Sequence, residues 1–249
     1  ASVDGTAKLW TRDGTLIASL DGHSDPVVAV QFSPDGHTLA TASCDGTAKL
    51  WTRDGTLITS LDGHSDAVVA VQFSPDGRTL ATASEDGTAK LWTRDGTLIT
   101  SLDGHSRPVN AVQFSPDGRT LATASWDGTA KLWTRDGTLI TSLDGHSDAV
   151  VAVQFSPDGS TLATASVDGT AKLWTRDGTL ITSLDGHSGP VWAVQFSPDG
   201  STLATASHDG TAKLWPWDLE TLVDHVCQEV RGYLKSSPSV AEEDRKLCD

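Results

Sequence analysis

GHSDAVVAVQFSPDGRTLATASEDGTAKLW, residues 63–92, decides how the whole chain is read. Its apolar runs are short, and a turn signal closes each one. Val68 to Ser74 ends in Ser-Pro-Asp-Gly, Thr79 to Ser84 ends in Asp86-Gly87, and Thr88 to Trp92 runs on to Asp95-Gly96. Leu98 to Leu102 follows and is closed by Asp103-Gly104-His105. Runs this short, bounded by glycine, argue against amphipathic helices. Asp-Gly turns between β-prone runs predict a four-stranded antiparallel meander. The second strand, Thr-Leu-Ala-Thr-Ala-Ser, carries small side chains that let a neighbouring sheet approach closely.

The same unit recurs along the 249-residue chain. Asp-Gly-Thr-Ala-Lys-Leu-Trp ends at Trp10, Trp51, Trp92, Trp133, Trp174 and Trp215, at intervals of 41 residues, and 35 of the 41 positions are identical in every copy. A lone four-stranded sheet cannot bury both faces, so such units must stack. A period of this length with four strands matches a propeller blade. Gly63-His64, the Ser84-x-Asp86 pair and Trp92, repeated in each unit, resemble the WD40 family over residues 1 to about 215. One departure is that the Trp is followed by Thr, as in Trp51-Thr52. The resemblance implies an all-β fold: a β-propeller of four-stranded antiparallel blades over residues 1–216.

The resemblance further implies a hydrogen-bonded set in each blade, made of the Gly-His histidine, the strand-two Ser, the next Asp and the strand-three Trp. These sets are His23, Ser43, Asp45, Trp51; His64, Ser84, Asp86, Trp92; His105, Ser125, Asp127, Trp133; His146, Ser166, Asp168, Trp174; and His187, Ser207, Asp209, Trp215. A Ser, a His and an Asp together invite a catalytic-triad reading. Five identical copies would be five active sites, whereas a buried Trp N–H needs a partner and an Asp–His–Ser chain supplies one. No catalytic residue is therefore assigned, and the protein is expected not to be an enzyme. Six of the nine Trp residues are this one position repeated, read as the core anchor of each blade.

Composition narrows the remaining classes. Net charge is −15, from 18 basic and 33 acidic residues. That balance argues against nucleic-acid or anionic-membrane partners, which are bound through Lys and Arg. No run is apolar and long enough for a membrane helix, and no signal peptide opens the chain. Three Cys do not make a disulfide scaffold. The Asp-Gly pairs are explained by turn chemistry rather than calcium loops. With no phosphate-loop motif and no zinc-spaced Cys/His cluster, neither cofactor nor metal is expected. A cytoplasmic location is the expectation that remains. Methionine is absent, which reads as a piece cut from the C-terminal part of a longer array.

The informative signal is where the copies differ. Position 44 and its equivalents, before the second turn, read Cys44, Glu85, Trp126, Val167 and His208, with Val3 ahead of them. Early strand one reads Val28, Val69, Asn110, Val151 and Trp192. The loop after Gly-His-Ser reads Asp25-Pro26, Asp66-Ala67, Arg107-Pro108, Asp148-Ala149 and Gly189-Pro190. In a meander these three sites converge on one rim. Two milder positions lie elsewhere: His37, Arg78, Arg119, Ser160 and Ser201 on the opposite turn, and Ala18 with its Thr counterparts on the outer strand. Drift would scatter over all exposed positions, yet Thr11-Arg12-Asp13 stays constant through the repeats. Trp and Arg are typical interface anchors, so a diversified rim predicts a recognition surface for a protein or peptide ligand. Near-identical repeats with few variable positions also resemble the sensor arrays of bacterial NOD-like, STAND-type receptors, which implies ligand sensing in signalling or defence. The alternative is a structural scaffold, or an engineered or excised repeat propeller with no specific ligand.

The ends complete the reading. Strands at 5–10 and 16–20 have no first and second strand before them, and the last unit has three strands between 191 and 215, for twenty-one in all. Strand 16–20 could close onto the last sheet, or the ring could be completed by self-association with a second copy. Open edges would otherwise invite aggregation. After Trp215 the period breaks. Leu219, Leu222, Val223, Val226, Val230, Tyr233 and Leu234 recur at helical spacing behind Asp218 as N-cap, and Ser239 to Glu242 forms a capping box. Residues 217–249 are thus expected to be a short helical tail packed on the propeller; Cys227 and Cys248 could approach within it, with reduced thiols the default in the cytosol.

Overall fold

Twenty-one strands form between Thr6 and Pro216 in the computed structural model, which describes residues 2–217. Their bounds follow the turn signals. Asp-Gly turns end strands because glycine alone enters the left-handed region without strain, as at Gly87 with φ 83°. A two-stranded sheet, β1 (Thr6–Trp10) and β2 (Leu16–Asp21), comes first. Four meanders follow, each in strand order. Blade 1 is β3 (Val27–Phe32), β4 (Thr38–Ser43), β5 (Thr47–Thr52) and β6 (Leu57–Asp62). Blade 2 is β7 (Val68–Phe73), β8 (Thr79–Ser84), β9 (Thr88–Thr93) and β10 (Leu98–Asp103). Blade 3 is β11 (Val109–Phe114), β12 (Thr120–Ser125), β13 (Thr129–Thr134) and β14 (Leu139–Asp144). Blade 4 is β15 (Val150–Phe155), β16 (Thr161–Ser166), β17 (Thr170–Thr175) and β18 (Leu180–Asp185). The fifth sheet has three strands, β19 (Val191–Phe196), β20 (Thr202–Ser207) and β21 (Ala212–Pro216). All pairings are antiparallel, so the expected all-β propeller architecture stands.

The hydrophobic cores lie between sheets rather than within them. Leu50 and Leu61 of blade 1 pack with Val68, Phe73, Leu80 and Trp92 of blade 2, and the pattern repeats down the stack. Strand two carries the load because both its faces are covered. Leu80 faces blade 1 while Ala81 and Ala83 face blade 3, and every residue of β8 is buried. Each fully buried leucine contributes about 2 kcal/mol of transfer free energy, so a sheet deprived of its neighbour loses most of its core.

Polar ties also run from blade to blade. The Phe73 N–H donates to Gln31 Oε1 at 2.5 Å, and Phe114 does the same to Gln72. At the far end of the strands, Arg94 of blade 2 donates to Asp35 at 3.1 Å and to Thr38 of blade 1. Arg135 and Arg176 repeat the bridge one and two blades on. The period breaks at Pro216, and Trp217 takes the place in the repeat that Arg176 holds one unit earlier. Its N–H donates to the Ser201 carbonyl at 2.7 Å, and its side chain joins the last core.

One expectation is corrected. Trp10 is 55 % exposed and anchors no core of its own, because the strand that would carry its hydroxyl partner is not among residues 2–217. The expected tail helices and the Cys227–Cys248 pair lie outside the described residues. No helix of the described residues is long and apolar enough to cross a membrane.

Candidate functional site

The polar set of each blade differs from expectation in one member. In blade 2, Trp92 Nε1–H donates to Thr82 Oγ1 at 2.9 Å, and Thr82 stands 2.7 Å from His64 Nε2. His64 Nδ1 lies 2.8 Å from Asp86 Oδ2. The threonine in the middle of strand two, not the serine at its end, joins Trp to His. The other joints are Thr41, Thr123, Thr164 and Thr205. The indole can only donate, so the Thr82 oxygen accepts from it and gives its own proton to Nε2. That leaves the proton of the neutral imidazole on Nδ1, pointing at the carboxylate.

Burial pushes the pKa of His64 below its ordinary 6.5, and the hydrogen bond and charge of Asp86 offset only part of that. Burial alone would raise Asp86, but hydrogen bonds from Thr88, His64 and the Ser65 and Thr88 backbone outweigh it and hold the carboxyl at about 2. The set is therefore a neutral histidine beside a fixed carboxylate, with every proton committed. Nothing in it is free to attack a substrate.

Ser43 and its counterparts build the rim instead. Ser43 Oγ donates to the Asp25 carbonyl at 3.0 Å and accepts from the Asp45 N–H at 3.1 Å. Ser84, Ser125, Ser166 and Ser207 make the same clamp to the carbonyls of Asp66, Arg107, Asp148 and Gly189. A buried hydroxyl thus ties the loop entering strand one to the turn leaving strand two. A backbone bond tightens the tie at the variable positions themselves. The Cys44 N–H donates to the Pro26 carbonyl at 2.9 Å, Trp126 donates to Pro108 at 3.0 Å, and His208 donates to Pro190 at 2.8 Å. Two of the three variable sites are therefore neighbours in every blade.

The third site is a β-bulge. Val109 pairs with Ser125 and Ala111 with Ala124, so Asn110 is the extra residue, and Val28, Val69, Val151 and Trp192 occupy the same bulge. A bulge residue opposes no partner on the next strand, so its side chain can change without disturbing the ladder. In sequence this position looked like ordinary early strand. The register alone reveals why it tolerates Val, Asn and Trp.

The rim is continuous from blade to blade. Gly46 faces the Asp66 carbonyl of the next blade and Gly87 faces that of Arg107, so that added β-carbons would lie 3.6 and 3.5 Å away. Burial, then the carboxylates of Glu85 and Asp25, raise the pKa of the Cys44 thiol, which places rim residues of two blades in one electrostatic neighbourhood. Asp25, Val28, Cys44, Asp66, Glu85, Arg107, Trp126, Asp148, Trp192 and His208 are exposed, while Pro26, Val69, Asn110, Val151, Val167 and Gly189 are half-buried.

Blade 3 holds the sharpest departures. Arg107, Asn110 and Trp126 replace Asp, Val and a variable residue within one clamped loop–turn unit. Trp126 is 47 % exposed although its blade is flanked on both sides. Asn110 Nδ2 is buried and has no hydrogen-bond partner among the described residues. No cluster of His, Cys, Asp or Glu suited to a metal ion occurs among the described residues.

Comparison with protein families finds a model described as "WD domain, G-beta repeat" at residues 14–52, 55–93, 96–134, 137–175 and 178–216. The matches together span more than half of the chain. No curated protein matches it.

Proposed function

The chain belongs to the WD40-repeat family, and from that premise we propose that its variable rim is a recognition surface for a protein or peptide partner. WD40 repeats are generally non-catalytic protein–protein interaction modules. The carrying observation is that variation between otherwise frozen copies falls on loop and turn positions joined by hydrogen bonds, as in Trp126 N–H to Pro108 at 3.0 Å. The scaffold under those positions, the serine clamp and the Trp–Thr–His–Asp set, is the same in each blade. A constant frame with changing side chains is how a recognition face is diversified without risk to folding.

Arg107 and Trp126, both exposed, are the anchors in this reading. The finer assignment is a sensor for a bacterial signalling or defence receptor of the STAND type, working in the cytoplasm. Its support is the near-identity of the repeats and the position of their differences. The competing reading is a scaffold without a ligand, which predicts that rim identity is irrelevant.

The experiment is capture from a bacterial lysate with two baits, the unmodified chain and one carrying Arg107→Asp, Asn110→Val and Trp126→Val. Those replacements are residues the other blades already use at the first two positions, and Val167 shows that Val is accepted at the third. A partner retained by the first bait and lost by the second supports recognition. Identical capture by both overturns it.

A further inference from the structure

Each seam between neighbouring units has the same backbone floor on the rim. A β-carbon added to Gly46, Gly87, Gly128 or Gly169 would lie 3.6, 3.5, 3.7 or 3.5 Å from the carbonyl oxygen of Asp66, Arg107, Asp148 or Gly189 in the next unit. The histidine carbonyl stands beside it, and that of His187 is 3.8 Å from the Gly169 position. What differs is the pair of side chains above this floor. The pairs are Cys44 with Asp66, Glu85 with Arg107, Trp126 with Asp148, and Val167 with Gly189. Asp66 and Asp148 turn back and accept from the N–H of Ala67 and Ala149 at 2.8 and 2.7 Å. Gly189 has no side chain to place there, and Val167 is short. A cavity of about 290 Å³ opens at this seam, between blade 4 and the fifth sheet.

The lining of that cavity is chemically one-sided. Val167 and Pro190 supply apolar walls, and His187, Ser188 and Gly189 supply the polar groups. The His187 carbonyl accepts no hydrogen bond among the described residues. The Gly189 carbonyl has taken one donor, Ser207 Oγ at 2.9 Å, and a carbonyl oxygen has two lone pairs. Ser188 uses its N–H, donated to Asp209 at 3.1 Å, and its hydroxyl makes no bond among the described residues. Asp168 adds charge without an open lone pair. Its carboxylate already accepts from the His146 ring at 2.8 Å, the Ser147 N–H at 3.0 Å, the Thr170 N–H at 2.9 Å and the Thr170 hydroxyl at 2.7 Å. The surrounding rim segments, 144–149, 166–170, 185–190 and 207–210, carry five Asp and neither Lys nor Arg. Such a field draws cations in and turns anions away.

We propose that this seam cavity takes a lysine side chain of a peptide partner, its methylenes lying on Val167 and Pro190 and its ammonium donating to the His187 and Gly189 carbonyls and the Ser188 hydroxyl. The space suits one side chain rather than a drug-sized ligand, whose pockets begin at roughly 300 Å³. Separate carbonyl and hydroxyl acceptors suit the three rotatable donors of an ammonium, whereas the planar fork of a guanidinium matches a carboxylate. The inference rests on the reading of the rim as a recognition surface, and it gives that surface a polarity. The partner offers a carbonyl or carboxylate to Arg107 and, two seams further on, a lysine to the cavity.

The probe is a phage-displayed library of short random peptides, selected on the full 249-residue chain. Selected peptides are expected to share a lysine, and its replacement by norleucine to weaken binding by about tenfold or more. Gly189→Arg fills the mouth of the cavity with a cation, and Arg107-Pro108 shows that this loop accepts Arg before Pro. Val167→Lys places a cation on the facing turn, at a position that elsewhere takes Cys, Glu, Trp and His. Both variants are expected to keep the circular dichroism of the parent and to bind the lysine and norleucine peptides alike. Peptides that lose binding to the Arg107→Asp, Trp126→Val chain but ignore Gly189→Arg and Val167→Lys overturn the lysine cavity and leave the recognition rim standing. Peptides indifferent to all of these changes, or no selected peptide, overturn both. A shared sequence without lysine overturns the cavity assignment, as does binding lost on acetylating the peptide's terminal amine but kept with norleucine.

Discussion

Thr82 decides whether the Trp–His–Asp set of its blade holds together. Replacing it by Val keeps the shape but leaves the Trp92 N–H and His64 Nε2 buried without partners. Each orphaned group costs about 1–3 kcal/mol, so Thr82→Val is expected to lose about 3 kcal/mol in urea unfolding. Ser84→Ala should cost less, about 1 kcal/mol, because the backbone bond from Glu85 N–H to Ala67 still joins loop and turn. Equal losses from the two would contradict the assignment of the relay to threonine.

The same residues set the pH response. His23, His64, His105 and His146 have pKa values held below their ordinary 6.5 by burial. Below pH 6.5 the unfolded chain therefore binds protons that the folded chain refuses, and stability falls as pH drops from there. The carboxyls of Asp45, Asp86, Asp127 and Asp168 sit at about 2 against an ordinary 3.8. Their contribution is complete above pH 3.8 and is lost on descent toward 2. Urea midpoints measured against pH should be flat above neutrality, decline below 6.5 and decline again below 3.8. A midpoint that rises on acidification through 6.5 would contradict the neutral tautomer.

How far the site can be read from sequence is clearest at this scale. Thr41 and Ser43 lie on the same face of their strand, so strand periodicity cannot choose between them. Leu39 pairs with Trp51, which puts Thr41 one diagonal step from the indole and Ser43 two steps away. Only the register separates a residue within reach of the ring from one beyond it. The converse holds for the rim. Its membership is legible from where the copies differ, because variation marks exposure, but the bulge and the serine clamp that make it one surface are matters of pairing.

Among elements, the position of a strand in the stack outweighs its sequence. β9 and β21 share Ala-Lys-Leu-Trp, yet Leu91 is fully buried and Leu214 is largely exposed. Leu91→Ala is expected to cost about 3 kcal/mol, whereas Leu214→Ala should cost under about 1 kcal/mol. Similar losses would mean that the trailing face is covered. The loop between blades is as tightly specified as the strands. A β-carbon on Gly63 would lie 3.0 Å from Cη2 of Trp92, and a rigid indole in a packed core cannot give way. Gly63→Ala should destabilise by about 1–3 kcal/mol, read as a lower thermal midpoint. Strand existence was legible throughout, since Asp-Gly and Pro-Asp-Gly turns bound every run. The fate of Trp10 was not, because a repeated residue is an anchor only where the strands that complete its environment are present.

At the scale of the whole molecule, the chain separates constancy from variation. Frozen residues fill the spaces between sheets and bridge the lower turns, where Arg94 meets Asp35 at 3.1 Å. Four of the six variable positions gather at the opposite end of the strands. The net charge of −15 belongs largely to the constant part, since each repeat carries four invariant Asp against one Lys and one Arg. It therefore says little about the rim, whose blade 3 segment carries Arg107 and Trp126 against the acidic background. A partner fitting that segment would offer a carbonyl or carboxylate beside an apolar surface, matched to the guanidinium and indole.

The most direct measurement is the dissociation constant of a captured partner for the unmodified chain and for two variants of equal stability. One variant resets the rim with Arg107→Asp, Asn110→Val and Trp126→Val, and the other changes Arg119→Ser on the opposite turn. A recognition rim predicts that the first weakens binding by about a hundredfold or more while the second leaves it unchanged. Equal affinity for the reset rim would contradict it.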